Sequence, residues 1–268
     1  MDGAPLPASI GVLVVGHGTA DPLGAGETHC VTAGVAGLLA GVPVELGFLE
    51  VIGPTIAEAI DRLAARGCRE VVVAPLLLFA AGHAKRDVPE AVTAAAARHG
   101  MAVRQADALG CEAAIIALSA ARRREACTPL DPVAPEEVVL VVLGRGSSDP
   151  TSPAQLQEFV EATLAGELRP RRVEFGFAAA ARPRLDEAIA AACDPTDAEV
   201  RRIVVQPHLL FRGHVEDQVT AAVAEGRRLR PDLEWVQVPR LGADPLVARA
   251  AASRVAEVLR GESLSRQG

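Results

Sequence analysis

Two histidines and one glutamate follow the ends of three predicted strands in the first half of the sequence. His17 follows a β-branched run, Glu50 closes the segment VELGFLE, and His83 comes shortly after the run VVVAPLLL. In open parallel sheets, ligands bind outside the carboxyl ends of the strands, so we expect these side chains to converge on one crevice. Two imidazoles and a carboxylate suit divalent first-row metals such as Fe²⁺, Co²⁺, Ni²⁺ or Zn²⁺. The sequence therefore predicts a metal site that leaves coordination positions open.

The elements that must position these residues follow from the alternation of apolar runs and helical stretches. Continuous β-branched runs are typical of strands buried on both faces, and they occur at 12–15, 71–74, 139–142 and 203–205. Helical stretches such as TIAEAIDRLAARG lie between them and end at glycine. The alternation predicts parallel sheets with helices on both faces, because right-handed crossovers cover each face.

The same pattern occurs twice in the chain. VLVVGHGTADP at 12–22 corresponds to LVVLGRGSSDP at 140–150, and three further blocks recur in the same order. The sequence therefore predicts an α/β fold of two homologous doubly wound domains, each with a four-stranded parallel sheet flanked by helices. We expect an N-terminal domain at 1–126 that carries the metal site, a proline-rich linker at 127–137 and a C-terminal repeat at 138–268 with a degenerate site.

The second copy of the pattern lacks two of the three candidate metal ligands. Arg145 replaces His17, Ala179 replaces Glu50, and His214 corresponds to His83. Arginine cannot ligate a metal or act as a base at neutral pH, but its guanidinium can bind a carboxylate through two hydrogen bonds. We expect metal chemistry in the first half and an anion contact or a structural copy in the second.

Composition disfavours several other classes of protein. The net charge of −7 disfavours binding to nucleic acid or to an anionic membrane surface. The five cysteines are scattered and never form a CxxC pair, which disfavours a disulfide framework or a thiolate zinc site. The first residues lack a signal-peptide pattern, and the longest apolar run is too short to span a bilayer. We expect a cytoplasmic protein with no membrane or nucleic-acid partner.

The segments VVGHGTADP, GFLE and PLLLFAAGHAKRDVPEA, together with the doubled pattern, resemble the class II chelatases of the sirohydrochlorin cobaltochelatase and ferrochelatase kind. The resemblance covers nearly the whole chain. It implies that His17 and His83 bind the metal and catalyse, with Glu50 as the accompanying acid. It also implies insertion of Co²⁺ or Fe²⁺ into sirohydrochlorin on the cobalamin or siroheme route. The metal would be a substrate, and no tightly bound cofactor is expected.

The resemblance further implies that the tetrapyrrole is held between the two halves and that its carboxylates need cations. The candidate substrate-binding residues are those near strand ends, namely Lys85, Arg86, Arg145, Arg182, Arg212 and His214. His214 stands where long family members often have an aliphatic residue, so a secondary metal contact there stays open. Short members dimerise whereas long ones fuse two halves, so we expect a monomer.

Three other functions are compatible with parts of the pattern. Histidine phosphatases also have a His-Gly pair after their first strand, but they use Arg-His-Gly, and here Gly16 precedes His17. A non-catalytic carrier of metal or tetrapyrrole would use the same ligands as a chelatase. A chelatase for another tetrapyrrole, or for a metal such as Ni²⁺, would do so too. Turnover beyond one equivalent per protein separates a chelatase from a carrier.

Overall fold

The computed structural model describes residues 9–79 and 83–261, with the backbone alone for residues 83–85. Strands and helices alternate regularly in this part of the chain. The strands are β1 (Ile10–Gly16), β2 (Val44–Phe48), β3 (Glu70–Pro75), β4 (Ala102–Gln105), β5 (Val138–Gly144), β6 (Arg172–Phe177), β7 (Arg202–His208) and β8 (Glu234–Gln237). The helices are α1 (Pro22–Leu38), α2 (Ile56–Ala65), α3 (His83–Ala97), α4 (Ala113–Cys127), α5 (Ser152–Leu164), α6 (Leu185–Ala192), α7 (His214–Leu229) and α8 (Pro245–Leu259). A short 3₁₀ turn at Pro135–Glu137 precedes β5.

The strands form two four-stranded sheets in which every neighbouring pair is parallel. The order is β2-β1-β3-β4 in the first sheet and β6-β5-β7-β8 in the second. The registers correspond, because Gly16 pairs with Phe48 in the first sheet and Gly144 pairs with Phe177 in the second. The predicted fold class, two doubly wound α/β repeats with four-stranded parallel sheets, is confirmed.

The central strands are buried on both faces, which explains their continuous apolar sequences. All seven residues of β1 are buried. Leu13 and Val15 pack in one cluster with residues of α2 and α3, including Ile60 and Val92. Because side chains alternate across a strand, Val12 and Val14 point to the opposite face.

The last helix of each half packs in the other compact unit of the structure. The first unit combines the residues up to Ile115 with those from Ala243 onward, and the second is Ile116–Gly242. Helix α8 therefore packs on α1 and β3 of the first unit. The approach is close, because a Cβ on Gly34 of α1 would lie 2.8 Å from the Cβ of Ala248 on α8.

Helix α4 correspondingly packs in the second unit, where Arg123 hydrogen-bonds to Thr163 and Gln206. The predicted segments 1–126 and 138–268 thus follow the sequence repeats, whereas the compact units differ from them by these two closing helices. The polar partners of α4 in the second unit provide the physical reason for this difference.

One strand end differs from the sequence-based expectation. Strand β2 ends at Phe48, so Glu50 lies in the following loop. Helix α1 begins at Pro22, because the Asp21 carboxylate accepts hydrogen bonds from the backbone N–H groups of Leu23 (2.9 Å) and Gly24 (3.3 Å). In the described residues, none of the helices combines the length and apolar character needed to cross a bilayer.

Candidate functional site

The loops that follow β1 and β2 bring His17 and Glu50 into contact. Beyond the paired strands, the N–H of Leu49 donates to the carbonyl of Gly16 (2.9 Å) and the N–H of Glu50 donates to the carbonyl of His17 (3.1 Å). These bonds extend the strand pairing by two residues. The Nδ1 of His17 consequently lies 3.2 Å from the Oε1 of Glu50.

Gly18 allows this close approach of the two loops. Its φ of +102° lies in the left-handed region, and a Cβ at this position would overlap the carbonyl oxygen of Glu50. Only glycine satisfies both conditions without displacing the loop that carries Glu50. The second glycine of GHG is therefore part of what positions the pair.

The environment of the pair suits exchange of protons and ligands with solvent. The His17 side chain is 23% exposed and the Glu50 side chain is 58% exposed. A carboxylate beside one ring nitrogen of a histidine orients the ring and raises its basicity as a ligand. Imidazole and carboxylate are both ligands for divalent first-row metals, and both serve as general acids or bases in enzymes.

The third predicted ligand falls outside the described side chains. The backbone of α3 begins at His83, but the side chains of His83 and Lys85 lie outside the described residues. In residues 9–79 and 86–261, no group of three or more His, Cys, Asp or Glu side chains is placed to hold a metal ion. The structure thus brings together His17 and Glu50, and the role of His83 stays a prediction.

The predicted substrate-binding residues have different surroundings. Arg86 and Arg145 are exposed. Arg182 forms an ion pair with Glu187 of its own unit. The Arg182 side chain is also exposed, at 76%, so its ion pair with Glu187 rather than burial distinguishes it.

The two predicted residues near the start of α7 also have partners within the second unit. Arg212 donates to Oδ1 of Asp217 at 2.6 Å and contacts Oε2 of Glu216 at 3.5 Å. A ring nitrogen of His214 lies 3.1 Å from the amide nitrogen of Gln218. Arg212 is thus partly neutralised before any ligand binds.

One histidine is buried in the second unit. His208 ends β7 and its ring centroid lies 4.4 Å from that of Phe159. Burial lowers the pKa of His208 from 6.5 to about 3, because desolvation disfavours the imidazolium. His208 is therefore neutral at physiological pH.

Val51, which directly follows Glu50, has no role that the sequence pattern indicates. The structure places it in a left-handed conformation with an exposed side chain. Comparison of the repeats offers a signal, since Ala180 occupies the same place in the second half. Neither composition nor periodicity indicates an exposed apolar residue there.

Comparisons with known proteins match the chain over both repeats. The sequence model of the family described as CbiX matches residues 11–126 and 139–258. A sirohydrochlorin cobaltochelatase from Priestia megaterium is 28% identical over 252 residues, which cover 94% of this chain and 80% of that protein. A sirohydrochlorin ferrochelatase from Bacillus subtilis is 28% identical over 249 residues, covering 92% of this chain and 90% of that protein.

A solved structure agrees with the fold over the same extent. The structure described as SirB from Bacillus subtilis with Fe³⁺ has a TM-score of 0.80 and 25% sequence identity, and the match covers 95% of this chain and 98% of that one. The two relatives named for cobalt and for iron are equally identical to this chain. Overall identity therefore does not distinguish the two metals.

Proposed function

Because the chain belongs to the CbiX family, we propose that it is a chelatase that inserts Co²⁺ or Fe²⁺ into sirohydrochlorin. The observation that carries the proposal is the contact of His17 Nδ1 with Glu50 Oε1, 3.2 Å apart beyond the carboxyl ends of β1 and β2. The names of the relatives that cover both repeats support the same reaction class. The metal is a substrate and is released in the product.

The pair has two tasks in this reaction. Insertion of a divalent metal removes two pyrrole N–H protons while the metal loses bound water. His17 binds the incoming metal and, once the metal has left, its imidazole accepts a proton. Glu50 reduces the cost of bringing a cation to this position, and its solvent exposure lets it pass protons to water. His83 is the proposed second imidazole.

Cationic side chains are the proposed partners of the substrate carboxylates. Arginine binds a carboxylate through two charge-assisted hydrogen bonds. The proposed set is Lys85, Arg86, Arg145, Arg182 and Arg212, with His214. Arg182 and Arg212 would exchange an internal carboxylate for one of the substrate, so we expect larger contributions from Arg86 and Arg145. We also propose that the protein acts as a cytoplasmic monomer, consistent with its fused repeats.

The test is an anaerobic assay of purified protein with sirohydrochlorin and either Co²⁺ or Fe²⁺, following the macrocycle absorbance against the rate without protein. We expect many turnovers per protein. His17→Ala should reduce the rate close to background, whereas His29→Ala, which removes an exposed histidine from α1, should retain it. A spectral change that stops at one equivalent would contradict a chelatase and identify a carrier. Full activity in His17→Ala would contradict the role of His17.

A further inference from the structure

Two exposed apolar side chains lie on the segments that carry the His17–Glu50 pair. Val51 directly follows Glu50 and is 64% exposed, and Leu23 lies in the first turn of α1, after the GHGTADP loop, and is 68% exposed. Both segments follow the carboxyl ends of strands in the first sheet. Their exposure leaves apolar surface in water at the edge where the proposed chemistry occurs.

The backbone of Val51 is held in an unfavourable conformation. Its φ is +72°, a left-handed conformation that a β-branched residue rarely adopts. The N–H of Ile52 donates to the carbonyl of Glu50 at 2.9 Å across this residue. The Cβ of Val51 lies 3.6 Å from the point where a Cβ of Gly18 would be, which places the side chain beside the GHG loop.

The second half keeps the backbone conformation but not the apolar side chains. Ala180 has a φ of +56° at the position of Val51, and Thr151 stands at the position of Leu23. The same half has Arg145 and Ala179 in place of the histidine and the glutamate. The larger apolar side chains therefore occur in the half that carries the proposed metal chemistry.

We propose that Val51 and Leu23 contact the apolar face of the macrocycle and hold it over His17. This inference rests on the proposed function. A tetrapyrrole has carboxylates at its edge and an apolar ring system in its plane. Cationic side chains bind the carboxylates at the edge, but they do not fix the distance between the ring plane and His17. Val51, next to Glu50 and beside Gly18, supports the ring at the pair, and Leu23 supports it from α1. Burial of their exposed surface favours binding of the macrocycle.

Substitutions that install the residue of the other half test the proposal. Val51→Ala keeps a residue that this chain itself carries in the same conformation, so we expect normal folding and unchanged Co²⁺ affinity without tetrapyrrole. The KM for sirohydrochlorin should rise about fivefold to tenfold, as expected for the loss of two partly buried methyl groups. The kcat should change less than about twofold. Leu23→Thr should raise KM to a similar extent.

Matched controls are available in the same chain. Ala180→Val adds the same methyl groups to the second half, and Leu38→Thr makes the Leu23 change at the other end of α1. Neither should alter KM. If the wild-type protein turns over and Val51→Ala and Leu23→Thr leave KM unchanged, or if the controls raise it equally, this proposal is overturned and the proposed function stands. If the wild-type protein neither metallates nor binds sirohydrochlorin, both are overturned.

Discussion

The GHGTADP loop of the first half and the GRGSSDP loop of the second share one backbone and differ in chemistry. The N–H of Glu50 donates to the backbone carbonyl of His17 at 3.1 Å, and the N–H of Ala179 donates to the backbone carbonyl of Arg145 at 2.9 Å. Gly18 and Gly146 have φ values of +102° and +81°, and a Cβ on either would overlap the carbonyl opposite. The frame is therefore the same in both halves.

This comparison separates what positions a site from what reacts in it. The glycine and the cross-loop hydrogen bonds fix where the two side chains begin. The residues at these two positions then set the chemistry. The first half has an imidazole beside a carboxylate, and the second has a guanidinium beside a methyl group. The loop conformation is kept in the second half although the histidine and glutamate are not. A Cβ on Gly146 would overlap the carbonyl of Ala179 whether or not the loop has a function, so glycine is required there.

Exchanging the pair between the halves should produce the largest effect. We expect His17→Arg combined with Glu50→Ala to lower kcat for metal insertion about a thousandfold, because imidazole and carboxylate are both lost. Arg145→His combined with Ala179→Glu should add a second weak Co²⁺ equivalent, seen by titration calorimetry, and raise KM for sirohydrochlorin. Wild-type kcat in the first variant would show that the frame alone suffices.

Helices α4 and α8, the last helices of the two repeats, give a second contrast. Helix α4 packs in the second unit through polar contacts, whereas the corresponding contacts of α8 in the first unit are apolar. In the second unit, Arg123 of α4 donates to Glu167 (2.6 Å), to Gln206 (2.9 Å) and to the carbonyl of Thr163 (3.0 Å). The amide of Gln206 donates to the carbonyl of Ser119 on α4 at 2.8 Å. These hydrogen bonds join α4 to Gln206 of β7 and to Thr163 and Glu167 at the end of α5, so they form only where α4 packs in the second unit.

The corresponding positions in the first unit are apolar. The repeat offsets pair Arg123 with Val255, Thr163 with Val35, Gln206 with Ala74 and Ser119 with Ala251, and the four first-unit residues are all buried. Packing α4 on the first sheet would bury Arg123 among groups that cannot hydrogen-bond to it. This complementarity favours the observed assignment of each closing helix to its sheet.

Arg123→Val, which installs the residue of α8, should destabilise the protein by about 3 kcal/mol, because Glu167 and Gln206 lose their buried partner. Denaturant unfolding measures the change. Arg124→Ala is the control, since Arg124 is exposed and pairs with the same Glu167 carboxylate, and it should cost about 0.5 kcal/mol or less. Equal losses in the two variants would contradict a special role for the buried network.

Alanine at the paired glycines should separate stability from activity. Gly18→Ala and Gly146→Ala should each cost about 2 kcal/mol in unfolding free energy, because both force a left-handed alanine against a carbonyl. Only Gly18→Ala displaces Glu50, so it should also lower kcat more than tenfold, roughly the loss of an oriented catalytic group. A kcat loss of the same size in Gly146→Ala would show that the second loop also positions reacting groups.

The smallest effect at neutral pH concerns His208, which stands where the first half has Leu76. Its folded-state pKa of about 3 lies below the unfolded value of 6.5, so the unfolded chain binds the extra proton as pH falls. Stability is therefore unaffected well above pH 6.5 and decreases between pH 6.5 and 3, by about 2 kcal/mol at pH 5. His208→Leu should remove this part of the pH dependence. The unfolding free energies of the wild-type protein and of His208→Leu are compared at pH 7 and pH 5. An equal loss of stability in the two proteins on going to pH 5 would contradict this role of His208.

Most of the fold could be predicted from the sequence, because strand and helix patterns are local and the repeat shows each pattern twice. The contact of His17 with Glu50 also follows from a local rule, since the carboxyl ends of neighbouring parallel strands share one edge. The engagement of Arg182 with Glu187 and of Arg212 with Asp217 could not be predicted. Ion pairs between surface side chains depend on how the side chains are oriented, and the spacing of residues along the sequence does not specify that orientation.

The sequence by itself determined two repeats, the alternation of strands and helices within each repeat, and which half carries an imidazole and a carboxylate at its strand ends. The tertiary structure decided which sheet receives α4 and which receives α8, because that choice depends on hydrogen-bond partners such as Gln206 that lie 83 residues from Arg123 along the chain. It also decided that Val51 is left-handed and exposed. Its side chain lies beside Gly18 of the other loop, a proximity that residue spacing along the chain does not encode.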